Sequence, residues 1–158
     1  MVFSPDAMAT FFRLVQAQWA GSAMNGAGAR LAGGRWNSPG VPAVYLADSR
    51  ALAALEVAVH APREVLALEW RIIAVEVPDE WIQAVEKRRL PLDWRNLPSS
   101  PGARRFGDAW LRSHATVALK LPSAVIPEEQ VLLLNPLHQE ITGIKVSQPV
   151  VFHFDPRL

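Results

Sequence analysis

The stretch GGRWNSPGVPAVYLADSRALAALEVAVH, Gly33 to His60, decides how the rest of the chain is read. It opens on a Gly-rich turn followed by a short strand carrying Arg35 and Trp36. Ser38-Pro39-Gly40 is a turn signal, and Val41 to Leu46 is a second strand whose Pro42 places its start at an edge or ahead of the paired region. Asp48 or Ser49 is suited to cap a helix running from about Asp48 to His60. Leu52, Leu55 and Val59 keep an i, i+3, i+7 stripe, and Ala53, Ala54, Val57 and Ala58 make the other faces apolar too, which predicts a buried helix. Glu56 falls inside this run, where an ionised carboxylate is costly unless a cation or several donors meet it. Arg35, Tyr45 and Glu56 thus arrive from three consecutive elements, and the active site is expected here.

Upstream, Phe11 to Val15 is a bulky strand with Arg13 inside it. Ala20 to Gly34, rich in Gly, Ala, Ser and Asn, predicts a flexible loop. It fits neither G-x-G-x-x-G nor G-x-x-x-x-G-K-[ST], because Gly28 to Gly33 is followed by Gly34 and Arg35. Downstream, Leu66 to Val77 predicts a long strand ended by Pro78-Asp79, and WIQAVEKRR from Trp81 a short helix. Lys87-Arg88-Arg89 reads as a solvated helix end rather than a phosphate contact. Ala103 to His114 suits an amphipathic helix with Phe106, Ala109 and Trp110 on one side and Arg104, Arg105 and Arg112 toward solvent. Val117 to Leu121, Val131 to Leu134, Ile144 to Val146 and Val150 to Phe154 complete the strands, with a turn of helix over His138 to Thr142. Strands outnumber helices without strict alternation, so the class is α+β. No repeat or linker divides the chain, and residues 1–158 read as one domain.

At 158 residues with half of them apolar, the chain can bury a core without a disulfide or structural metal. A formal net charge of +1 gives no general attraction to nucleic acid or an anionic membrane. The absence of cysteine excludes a thiol nucleophile, a cysteine zinc cluster and disulfides. Met1 to Thr10 lacks a signal-peptide pattern, and no run approaches the roughly 18 apolar residues of a membrane span. A soluble, cytoplasmic protein is expected.

Metal chemistry finds no support in the spacing of His60, His114, His138 and His153, which form no H-x-H or H-x-x-x-H pair. A Ser-His-Asp hydrolase lacks its G-x-S-x-G elbow. Taken singly, Arg35, Tyr45 and Glu56 each have a structural explanation: a turn arginine, a core phenol, a surface carboxylate. Together they are harder to dismiss, since an arginine fork is the best-suited partner for a buried carboxylate.

Gly34-Arg35-Trp36-Asn37, Val44-Tyr45-Leu46-Ala47, Ala54-Leu55-Glu56-Val57, Leu121-Pro122-Ser123 with Val125-Ile126-Pro127, and Asn135-Pro136-x-His138 occur in order. This series resembles the RES-domain toxins, named for an Arg, a Glu and a Ser, and the likeness runs from Phe12 to about Phe154, a core of about residues 11–154. It implies a mixed β core similar to the ADP-ribosyltransferase fold and a bacterial type II toxin that consumes NAD⁺. The implied partner is an Xre-type helix-turn-helix antitoxin, which would carry the DNA binding. Members are commonly dimeric within such complexes, and nothing in this sequence fixes the stoichiometry. Position by position, Arg35, Glu56 and Ser123 are the family's three residues, Tyr45 is the pocket tyrosine, and Arg13 falls where members tend to have an arginine.

The resemblance implies cleavage of the nicotinamide–ribose bond, which leaves an oxocarbenium-like ribose. Glu56 would stabilise that charge, Arg35 and Arg13 would bind pyrophosphate or ribose oxygens, and Tyr45 would stack on nicotinamide and orient it through its hydroxyl. Ser123 would hydrogen-bond the nicotinamide amide or the ribose. NAD⁺ is then the substrate, and no metal is required. Two other readings stay open: transfer of ADP-ribose to a specific cellular protein, and a catalytically inactive nucleotide- or partner-binding module. The Ala20 to Gly34 segment is the expected antitoxin contact.

Overall fold

The computed structural model describes residues 7–158, so the reading of Met1 to Thr10 falls largely outside it. Eight strands form one mixed sheet: β1 Met8–Gln16, β2 Val44–Ala47, β3 Trp70–Pro78, β4 Ile82–Ala84, β5 Ala118–Pro122, β6 Gln130–Leu134, β7 Lys145–Val146 and β8 Val150–Phe152. Four α-helices accompany them: α1 Ala27–Ala32, α2 Arg50–Ala58, α3 Arg63–Leu66 and α4 Pro101–Ser113. The expected α+β class holds.

The strand order is β4-β5-β6-β2-β1-β3-β7, with β8 also on β3. β3 and β4 stand five strand spacings apart in this order, roughly 24 Å if the sheet were flat. Only Asp79–Trp81 joins them, and such a link reaches roughly 13 Å at full extension. The sheet must therefore curl until its ends approach one another. Consistent with this, Trp81 beside β4 lies against Gly143 just before β7.

Curling encloses a core on both faces. Leu14, Ala47, Ile72, Leu121 and Leu133 pack on one side; Phe11, Val44, Leu46, Ile73, Val75, Leu132 and Leu134 pack on the other. Alternate residues of β6 thus face opposite cores, which is why VLLL is apolar throughout rather than alternating. β1 pairs with β3 along its whole length, from Met8↔Pro78 to Gln16↔Trp70, yet meets β2 at a single position, Phe12↔Ala47. There the sheet splays, and a cleft opens beside the splay.

Several local expectations are corrected. Ala20 to Gly34 is not a loop throughout: a 3₁₀ turn covers Ala17–Ser22, and α1 follows. Gly26 and Gly33, at φ 74° and 75°, serve as left-handed ends of a short Ala-rich helix. Arg35 and Trp36 lie in a tight turn closed by a Gly34–Asn37 bridge, not in a strand. The strand expected from Leu66 begins at Trp70, because α3 intervenes and its Val65 carbonyl accepts from the Trp70 indole. The helix expected over WIQAVEKRR is broken up: Ile82–Ala84 is β4, recruited into parallel pairing by Ala118 to Lys120, a case of tertiary pairing overriding local pattern, and only Lys87–Arg89 forms a 3₁₀ turn. α2 is buried only through Leu52 and Ala53, while Leu55 and Val59 are exposed. On α4 the inward side is Ala103, Gly107, Trp110 and Leu111, with Ala109 outside.

Candidate active site

Arg35 rides on the turn Gly34 to Ser38, and nearly every polar group of that turn is tied down. The Gly34 amide donates to the Asn37 carbonyl at 3.0 Å. The Trp36 amide donates to the Tyr45 hydroxyl at 3.0 Å, and that hydroxyl donates to Asn37 Oδ1 at 2.6 Å. Asn37, wholly buried, turns its amide toward the carbonyls of Ala29 and Val41, at 2.9 and 2.8 Å. Gly34 is obligatory here, since a Cβ would come within 2.6 Å of the Tyr45 hydroxyl oxygen. Trp36 fills the core beneath, stacked on Trp94 and edge-on to Phe106.

The Tyr45 hydroxyl, expected to orient a ligand, is bonded within the turn, and β2 brings Tyr45, Leu46 and Ala47 to the cleft wall. Burial pushes the Tyr45 pKa up, beyond the ordinary range of a phenol. Arg35 lines the cleft while its Nη1 donates to the carbonyls of Trp94 and Asn96, at 2.8 and 3.0 Å. Among the described residues its Nε and Nη2 make no hydrogen bond. Burial lowers the Arg35 pKa, opposed by the nearby charge of Glu56.

Glu56 projects from α2, whose start is fixed by Ser49 accepting from the Leu52 amide at 3.0 Å. Its partner is not the expected arginine fork. Ser123 Oγ donates to Glu56 Oε1 at 2.5 Å, and itself accepts from the amides of Val125 and Ile126, both at 3.0 Å. Two backbone donors thus aim the serine proton at the carboxylate. Ser123 is 1 % exposed and sits behind Glu56 rather than among the residues that line the cleft.

Arg13 occupies the splay between β1 and β2. Its Nε donates to Ala23 O at 2.7 Å and its Nη1 to Tyr45 O at 3.1 Å, bridging the strands where they cease to pair. Burial drops its pKa to about 10, which leaves it cationic at neutral pH. Arg13, Arg35, Tyr45 and Glu56 all line one cleft of about 780 Å³, with Leu97 and His60 also at its wall. The structure thus gathers four of the five expected residues around one space and places the fifth directly behind Glu56. Among the described residues no cluster of His, Cys, Asp and Glu is arranged to hold a metal.

Three supporting residues escaped the sequence reading. Asn37 was visible only as part of a motif. Arg104, expected in solvent, donates to Gly34 O at 3.1 Å. Asp108 is 5 % exposed and accepts from Ser38 N and Ser38 Oγ at 2.8 and 2.6 Å. Its signal was a carboxylate on the inward face of an amphipathic helix, the same anomaly that drew attention to Glu56.

A curled mixed sheet with an arginine, a tyrosine and a serine-held glutamate around one cleft matches the ADP-ribosyltransferase-like fold expected from the sequence. The model of the RES domain matches residues 10–155. A protein of Sphingobium sp. named Prs ADP-ribosylating toxin is 41% identical over 138 residues, covering 85% of this chain and 86% of its own. Toxin Res of Yersinia enterocolitica is 37% identical over 148 residues, covering 93% and 97%. The MbcT toxin of M. tuberculosis, in its complex with the antitoxin MbcA, superposes with a TM-score of 0.75 at 25% identity, covering 96% of this chain and 86% of that one. The chain belongs to the RES-domain family of toxins.

Proposed function

We propose that this protein is the toxin of a type II toxin–antitoxin pair and that it cleaves the nicotinamide–ribose bond of NAD⁺, lowering the cellular NAD⁺ pool. The observation that carries the reading is the Glu56 carboxylate, held at the cleft wall by a buried serine and sharing that cleft with two arginines. The cleft volume lies within the roughly 300–1,000 Å³ of small-molecule and cofactor sites.

The chemistry follows from the groups present. Arg35, through Nε and Nη2, and Arg13, through Nη2, meet the diphosphate. The Tyr45 ring offers a face to the nicotinamide. As the glycosidic C–N bond breaks, its electron pair returns to the pyridinium ring, nicotinamide leaves neutral, and positive charge develops on the ribose. Glu56 stabilises that charge from a fixed position, the kind of preorganised electrostatic contact that contributes most to catalysis. An acceptor then bonds to the ribose carbon and gives up its proton to solvent.

The name of the Sphingobium relative supports a second reading, transfer of ADP-ribose to a protein. Labelled NAD⁺ incubated with antitoxin-free protein and lysate separates the two: free or phosphorylated ADP-ribose marks degradation, a labelled protein band marks transfer. NAD⁺ left intact in buffer, in phosphate and with lysate would overturn both, and binding without turnover would point to an inactive module. We infer an Xre-type helix-turn-helix antitoxin as the partner, a reading supported by the toxin–antitoxin complex among the structural neighbours. Action in the cytoplasm, where NAD⁺ is abundant, belongs to the same reading; among the described residues no helix is long and apolar enough to cross a membrane.

A further inference from the structure

Asp108 is a nearly buried carboxylate, and among the described residues no cation lies within ion-pair distance of it; the ion pairs there are Arg88–Glu86 and Arg157–Asp155. An unpaired buried carboxylate is costly, and both its oxygens are spent on one residue, Ser38. Ser38 lies three positions after Arg35. α4 does more than supply this anion. Arg104, one turn earlier, holds the Gly34 carbonyl. Gly107 lets the helix approach the Trp36 carbonyl so closely that a Cβ would sit 1.7 Å from its oxygen. One face of α4 therefore grips residues 34, 36 and 38, the alternate positions of the segment whose residue 35 lines the cleft. These contacts end on the backbone or hydroxyl of the turn, where they fix direction more than they add apolar burial.

We propose that Asp108, acting through Ser38, is a positioning residue for Arg35 and sets how tightly the cleft binds the anionic part of its substrate; this rests on the NAD⁺ reading above. Charge-assisted hydrogen bonds are short and directional, which suits a group that must hold a backbone in place. Small misplacements of a binding group are expensive in rate and affinity.

The test uses Asp108→Asn, which keeps shape and one acceptor, and Ser38→Ala, which removes only the hydroxyl bond should the first variant fold poorly. Each is expected to raise KM for NAD⁺ roughly tenfold, to leave kcat within about twofold, and to quicken amide exchange at residues 34–38. In an Arg35→Lys background the same substitutions add nothing further to KM, because the group they position is already gone; a purely structural role would add independently. Unchanged KM in folded variants, or additivity with Arg35→Lys, overturns the proposal. Wild-type protein that consumed no NAD⁺ would refute the NAD⁺ reading instead. Amide exchange would then decide the rest: quickened exchange supports Asp108 as the holder of the turn, and unchanged exchange removes it.

Discussion

Replacing Ser123 by alanine removes one donor and one acceptor at the point where the two halves of the site meet. The lost bond to Glu56 is charge-assisted, worth about 1.5–3 kcal/mol, with the lower end apt because Glu56 is half-exposed and water can replace the donor. The amides of Val125 and Ile126 also lose their acceptor, at about 1 kcal/mol each. The sum is about 3.5 kcal/mol, or a fall in Tm of about 7–14 °C for a chain of this size. Function suffers separately, because a Glu56 free to swing stabilises the developing ribose charge less often; kcat should fall roughly tenfold, short of the loss expected when such a contact is deleted outright. Thermal melting by circular dichroism reads the first quantity, and steady-state NAD⁺ consumption the second. If Ser123→Ala instead raised KM with kcat intact, the hydroxyl would be touching the substrate and the assignment to Glu56 would be wrong. A variant with both Tm and kcat unchanged would remove the serine from the account altogether.

Glu56→Gln keeps an acceptor for the Ser123 hydroxyl and sits half-exposed, so it should fold as wild type while turnover drops roughly a hundredfold or more; wild-type turnover in a folded variant would end the electrostatic role. The chain has one tyrosine, so tyrosinate absorbance reports Tyr45 alone. Its folded pKa is raised above 10.0, so the contribution to stability is full below pH 10 and is lost as pH rises beyond it. Absorbance in the native protein should accordingly lag that of the chain in denaturant, and equal midpoints would contradict the buried hydroxyl network. Gly107→Ala would drive a Cβ into the Trp36 carbonyl and should cost at least about 3 kcal/mol, measured as a lower urea midpoint or a loss of soluble protein; a midpoint equal to wild type would show that α4 does not sit this close to the turn.

The residues that carry chemistry were largely legible in the sequence, and their partners were not. Glu56 drew attention because a carboxylate in an apolar run needs a reason, yet the reason found is a serine from a strand end rather than an arginine. Periodicity locates α4 because its inward face repeats every turn, whereas the stripe that pointed to α2 is buried only at Leu52. It says nothing of β4, which is a strand only because β5 offers an edge. The Gly-rich segment misled for a related cause: composition suggests freedom, whereas Gly26 and Gly33 are specific left-handed hinges around a formed helix. Arg104 was expected in solvent and Asp108 went unremarked because their partners, an acceptor on Gly34 and a donor on Ser38, each lie 70 positions away.

The single contact between β1 and β2 bears on the order in which the molecule is made. β2 gains its full ladder only from β6, at Val44↔Leu134 through Ala47↔Val131. Glu56 likewise waits for Ser123. A chain emerging from the ribosome therefore carries Arg13, Arg35, Tyr45 and Glu56 well before it holds them in a working arrangement. Nascent chains stopped before Gln130 are expected to show no amide protection in Val44 to Ala47 and no NAD⁺ turnover. On the NAD⁺ reading, β6 is the element whose arrival completes the site.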